Sequence, residues 1–192
     1  MSNLITKTTE LAMTITLDYV KSGDTVIDAT CGTGQDTVTL AKAVGSDGKI
    51  YAFDIQKEAI ELTDERIRAN GLHNVNLICD SFVSMNDYVA EGVASAVIFN
   101  LGYLPGGDHS ITTKADETFK GLELALGIIK AGGIVTVVMY DGHEAGKEEK
   151  QGVLEWAKSL DSSDYHVAYV NMLNQKNNPP EIVWITKKGL KY

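Results

Sequence analysis

Only two cysteines, Cys31 and Cys79, and three prolines occur among the 192 residues. If the cysteines end the first and third strands of a 3-2-1 sheet, two strand spacings, roughly 9–10 Å, separate them. A disulfide tolerates a Cα separation of about 7 Å at most. Both are therefore expected as reduced thiols, and without a nearby histidine pair they make no zinc site. No apolar run approaches the roughly 18–20 residues that span a bilayer. The first residues, MSNLITKTTELAMTITL, lack a basic stretch ahead of a continuous apolar one, so no signal peptide is expected and the location is read as cytoplasmic. Basic charge is also short: 17 Lys and Arg stand against 26 Asp and Glu, a net charge of −9. That argues against a nonspecific nucleic-acid coat, which rests on Lys and Arg. It leaves room for a local basic rim and mainly predicts solubility. Internal repeats, low-complexity tracts and linkers are missing too, so residues 1–192 are expected to form one domain around one core.

What is present alternates between two periods. An N-terminal helix is expected over 6–21, strands over 25–29, 49–55, 75–80, 94–101 and 134–140, and helices over 35–44, 57–70, 84–90, 114–130 and 147–160. Two last strands, 166–173 and 182–187, flank the loop NQKNNPP. The first five strands are nearly continuous apolar runs, the pattern of parallel strands covered on both faces. The last two are joined too closely to be parallel and must form a hairpin near one edge. The sum is an α/β doubly wound, mostly parallel seven-stranded sheet with an antiparallel C-terminal hairpin.

The chemistry gathers at strand ends. TVIDATCGTGQD (25–36) reads as a strand, an acid (Asp28), a tight turn (Gly32, Thr33, Gly34) and a helix start (Gln35, Asp36). That order makes a nucleotide-cofactor crevice. Dinucleotide enzymes use G-x-G-x-x-G, and here the third position is Thr37. Asp28 would repel a pyrophosphate, whereas it can hold an ammonium directly or through water. This favours S-adenosylmethionine over NAD. Asp54, with Ile55 and Gln56, ends the second strand, where an acid accepts from ribose hydroxyls. Asp80 ends the third, placed for an adenine amino group with Ser81 and the Phe82 ring beside it. Each acid also has a plain reading as a turn former, but three at successive parallel strand ends are hard to credit to turns alone.

DATCGTGQD, FDI and the acid after the third strand resemble class I S-adenosylmethionine-dependent methyltransferases, whose sheet is Rossmann-like. NLGYLPGGD (100–108), YDGHEAGKEE (140–149) and NPPEIVWI (178–185) narrow the resemblance to a small bacterial family long labelled as rRNA methylases. Within it, the resemblance implies N-methylation of 5-aminomethyl-2-thiouridine at the tRNA wobble position, with S-adenosyl-L-methionine as cofactor and a homodimer as the working form. Thr33 stands where members usually carry Asn, and Phe82 where they often carry His.

Asn100 ends the fourth strand beside the crevice and is read as both cofactor-binding and catalytic. NLGY resembles the Asn/Asp-Pro-Pro-aromatic loop of enzymes that methylate planar exocyclic amines, with Leu-Gly replacing Pro-Pro. The Asn100 oxygen and a carbonyl near Leu101 would grip the amine hydrogens and aim its lone pair. Leu101, Gly102, Tyr103 and Leu104 would surround the acceptor, their low dielectric favouring the neutral amine. Tyr103 could also stack on the flipped base. Asp108, His109, Asp141 and His143 are candidate bases, His109 foremost. The plain alternatives are that 102–107 only turn the chain and that the histidines only cap helices. Lys114, Lys147, Lys150 and Lys176 are candidate phosphate contacts or simply solvated charges. A compact chain suits the unstacked bases of an anticodon stem-loop. Four functions stay open on residues alone: a tRNA wobble-uridine enzyme, an rRNA base methyltransferase, a small-molecule methyltransferase and a noncatalytic nucleotide-binding module. The last has no need of the NLGY acceptor site.

Overall fold

The computed structural model describes residues 7–102, 115–140, 144–176 and 178–189. Seven strands form one sheet in the order β3-β2-β1-β4-β5-β7-β6. β1 (Thr25–Asp28), β2 (Lys49–Asp54), β3 (Val75–Cys79), β4 (Ala94–Leu101) and β5 (Ile129–Met139) run parallel. β7 (Glu181–Lys187) pairs antiparallel with both β5 and β6 (Tyr165–Val170), so the hairpin closes one edge. The chain reverses its winding between β1 and β4, and a crevice opens at such a switch point beyond the strand C-termini.

Alternation along the strands divides the core. Val26, Ala96, Ile98, Ile134 and Val138 face α1 (Thr8–Asp18), α2 (Gln35–Val44) and α3 (Lys57–Ala69). Ile27, Val97, Phe99, Val135 and Val137 face α4 (Ala115–Ile128), α5 (Glu144–Ser159) and a 3-10 turn, Phe82–Asp87. Asn100 and Tyr140 continue the first alternation, which turns them toward α1 and α2. Thr16 ties α1 to the sheet through a buried hydroxyl pair with Thr136, 2.7 Å.

The expected elements are all present, with α2 and β4 at the expected bounds. Several boundaries need correction. The helix read over 114–130 stops at Ile128 and the strand begins at Ile129, ahead of Gly132 and Gly133 rather than after them. The pairing jumps from Ala94↔Ile129 to Ala96↔Ile134, a bulge that absorbs the extra residues. Gly132 takes φ 76° there, and a Cβ on Gly133 would sit 2.9–3.0 Å from the carbonyl oxygens of Lys130 and Ser95. The glycine pair is thus a kink inside a strand, not a helix stop. The short helix read over 84–90 is a 3-10 turn that starts earlier, at Phe82, where the Ser81 hydroxyl accepts from Val83 N. The strand read over 166–173 ends at Val170; beyond it, the Asn171 side chain binds Tyr169 and Glu181. Both cysteines are free thiols. Among the described residues, no helix is long and apolar enough to cross a membrane.

Candidate active site

Between β1 and α2 the chain must reverse within a few residues. Gly32 (φ 52°) and Gly34 (φ 76°) take left-handed conformations, and Gly34 N donates to Cys31 O at 2.8 Å. α3 locks the turn from outside, where Thr63 Oγ1 donates to Gly32 O at 3.0 Å. Asp54 locks it from β2: one carboxylate oxygen accepts from Gly32 N and the other from Gln56 N, each at 3.0 Å. Ile55, next in the chain, leaves 54% of its surface exposed at the crevice rim.

Asp28 departs from the role expected of it. Its carboxylate is closed to solvent and accepts from Thr37 Oγ1 at 2.6 Å and from Thr30 N at 3.3 Å. It latches β1 to the first turn of α2 rather than facing the mouth of the crevice. Thr37, notable in the sequence only as the missing third glycine, is the donor that a buried acid requires. Burial, and next the charge of Asp36, push the Asp28 carboxyl up from 3.8 to about 7. As pH rises from about 4 to 7 the unfolded chain therefore loses this proton while the native one keeps it. The group's contribution falls across that window by on the order of 4 kcal/mol, at about 1.4 per pKa unit, and is level above it. Asp36 and Asp54, also raised by burial, act in the same direction. Asp28→Asn should therefore flatten the loss of urea midpoint between pH 4 and pH 7. Equal slopes in variant and wild type would refute this account of the latch.

Asp36, in the first turn of α2, meets the end of β4. Asn100 Nδ2 donates to Asp36 Oδ2 at 2.9 Å, and Asn100 N donates to Thr30 Oγ1 at 2.7 Å. An ionised carboxylate only accepts, so it fixes the amide with Nδ2 inward. Oδ1 is then the atom left to accept from a ligand. Tyr140, just past β5, closes this corner. Its ring lies within 3.6 Å of where a Cβ on Gly102 would sit, and its hydroxyl is pushed upward by burial and then by the Asp36 charge. Thr30, Thr37, Thr63 and Tyr140 escaped the sequence reading. Thr37 carried a signal there as an off-pattern residue in a glycine motif, and Thr30 and Tyr140 stood within DATCGTGQD and YDGHEAGKEE without a role assigned to them.

Other expected residues fall differently. Asp80 is exposed and accepts from Ser81 N at 2.7 Å. The Phe82 ring, expected near adenine, is spent on the core: it meets Phe99 edge-on at 5.4 Å and lies under α4. A Cβ on Gly121 would come within 2.5 Å of it. Lys150 pairs with Glu181 at 3.2 Å, while Lys147 and Lys176 stand exposed. Tyr103, Leu104, Asp108, His109, Lys114, Asp141 and His143 lie outside the described residues. Among the described residues, no group of three or more ligating side chains could hold a metal ion.

The family model described as "Putative rRNA methylase" matches residues 50–186. A chloroplastic tRNA (mnm(5)s(2)U34)-methyltransferase of Arabidopsis thaliana is 40% identical over 183 residues, covering 90% of this chain and 67% of its own. The crystal structure of a "putative rRNA-methylase" from Clostridium thermocellum superposes with a TM-score of 0.92 at 43% identity, covering 95% of this chain and 98% of its own. A "putative methyltransferase" of Streptococcus mutans, solved in complex with SAH, gives 0.87 at 35% identity, covering 95% and 99%.

Proposed function

Because the chain belongs to the "Putative rRNA methylase" family, we propose that it N-methylates 5-aminomethyl-2-thiouridine at the tRNA wobble position, giving the 5-methylaminomethyl form. The chain is an S-adenosylmethionine-dependent methyltransferase, and its described residues suit that cofactor. Asp54 ends β2 with Ile55 as exposed apolar cover, and the carboxylates of Asp36 and Asp54 beside the glycine turn favour a cation over a pyrophosphate. When bound, the cofactor supplies an electrophilic methyl on a sulfonium.

The observation that carries the proposal is the Asn100–Asp36 contact. Asp36 holds Nδ2, so Oδ1 accepts an N–H of the acceptor amine and its lone pair is turned toward the crevice. An aliphatic ammonium must first lose a proton. Among the described residues, Asp36 touches Asn100, and its carboxyl is raised above the ordinary range by burial, which suits it to hold that proton. The nitrogen then gains the methyl as the sulfur–carbon bond breaks, and the proton leaves to water. Support for the substrate comes from the Arabidopsis relative named for that chemistry. The reading includes a cytoplasmic location and a homodimer sharing one tRNA. Edge strand β6, with Val167 and Tyr169 exposed, offers the second copy a backbone edge.

The test supplies the protein with S-adenosylmethionine and bulk tRNA from cells lacking the enzyme, followed by nucleoside mass spectrometry. One methyl gained on aminomethyl-thiouridine is the expected product. Methyl found only in rRNA, or only in a metabolite, overturns the substrate assignment.

A further inference from the structure

Tyr140 belongs to a second feature beside the crevice. A cavity of about 310 Å³ lies between the start of α1, the end of β5 and the β6–β7 loop, lined among others by Lys7, Thr9, Tyr140, Met172, Gln175 and Pro180. Ligand sites run from roughly 300 to 1,000 Å³, so this one suits a single ring system rather than an extended molecule. Its walls are of two kinds. Tyr140 and Pro180 supply flat apolar surface, and Met172 a polarisable sulfur. Gln175 supplies a primary amide, which both donates and accepts and so matches the carbonyl–imide edge of a pyrimidine. Among the described residues no carboxylate lines the cavity, and Lys7 already pairs with Glu10 at 2.7 Å, so charge recognition is not what these walls are built for. The loop wall is preset: Asn178 takes φ 42°, prolines 179 and 180 have restricted φ, and Gln175 N closes a turn onto Met172 O at 3.3 Å.

We propose that this cavity receives the acceptor base itself, a flipped-out pyrimidine of the RNA substrate, with Tyr140 as the wall shared with the Asp36–Asn100 corner. The assignment rests on the function proposed above. A wobble base is unpaired in its loop and is extruded at modest cost. Seated against Tyr140, it would direct a short substituent at ring carbon 5 toward Asn100 Oδ1. The 2-thio group would meet apolar surface and the Met172 sulfur instead of a hydrogen-bond donor.

Two measurements test the assignment on the full chain. Thr9→Trp fills the cavity from α1 without touching Asp36, Asn100 or the glycine turn. With an anticodon stem-loop carrying 5-aminomethyl-2-thiouridine, it should raise the KM for RNA by roughly tenfold or more, the scale of losing one stacked base. Cofactor Kd and thermal midpoint should stay at the wild-type values. In parallel, a stem-loop with photoreactive 4-thiouridine at the wobble position should cross-link wild-type protein at Tyr140 or within the loop from Met172 to Pro180. An unchanged KM in the variant, or cross-links confined to other segments, overturns the pocket while the wild type still methylates the RNA. A wild type that methylates no such RNA overturns the substrate reading, and the pocket with it.

Discussion

Asn100→Ala is expected to lower kcat by ~10²–10³ while leaving cofactor affinity within about twofold of wild type, the loss typical of removing one preorganised contact in a reacting site. The backbone tie from Asn100 N to Thr30 Oγ1 does not need the side chain, so the end of β4 keeps its place. What disappears is the amide between Asp36 and the acceptor. Asp36 then loses the contact that opposes its burial, so its carboxyl should move further up. The companion variant is Asp54→Ala. That carboxylate bridges Gly32 N and Gln56 N, so its loss loosens the glycine turn as well as the ribose site. Cofactor Kd should rise by roughly tenfold or more, as expected when a charged acceptor of two amides is removed. Titration calorimetry with S-adenosylmethionine and single-turnover methyl transfer separate the two. Equal losses of cofactor affinity in both variants would sink the division of labour.

Gly34→Ala should be strongly destabilising. At φ 76° a non-glycine residue costs about 1–2 kcal/mol. The new Cβ would also lie 2.9 Å from Thr63 Cα, a backbone atom that cannot rotate away, adding about 1–3 kcal/mol of overpacking. Together, about 2–5 kcal/mol is a large share of the ~5–15 kcal/mol that holds a domain folded. For a chain of this length that lowers the thermal midpoint by roughly 5–20 °C. Gly23→Ala is the control, since Gly23 has φ 86° but nothing within 4 Å of its added Cβ. It should show only the conformational part. Equal shifts in calorimetric scans of the two variants would mean that the close approach of α3 costs nothing.

Most of the frame was legible because each signal had one physical reading. The apolar run of β4 cannot belong to a surface strand, and Gly34 and Gly45 bracket α2 where a helix needs a start and a stop. β5 was misplaced because its first residues, Ile129 and Lys130, extend the helical period of α4 without a break. The bulge at Gly132–Gly133 is fixed by Ala94 and Ser95, 38 residues earlier in the chain, and that distance hides it. The site divides in the same manner. The acids at strand ends follow from the fold rule alone. Their partners do not: that Asp28 turns inward to Thr37, and that Asp36 rather than Asp28 meets Asn100, depends on how far α2 is rotated against β1 and β4. Phe82 shows the opposite error. Its place after β3 was read as proximity to a ligand, whereas an aromatic there had a core to fill.

The placing of Asp36 and Asp54 around one turn also bears on how a catalytic cycle ends. Methyl transfer turns a positively charged cofactor into an uncharged thioether in the same seat. Carboxylates that burial makes costly to ionise gain most from the cation and have much less hold on what remains. Departure of the spent cofactor is thus favoured by the reaction itself, and accumulated by-product should compete poorly with fresh methyl donor. Neutralising Asp36 as Asn would narrow that preference and make the enzyme more easily poisoned by its own by-product.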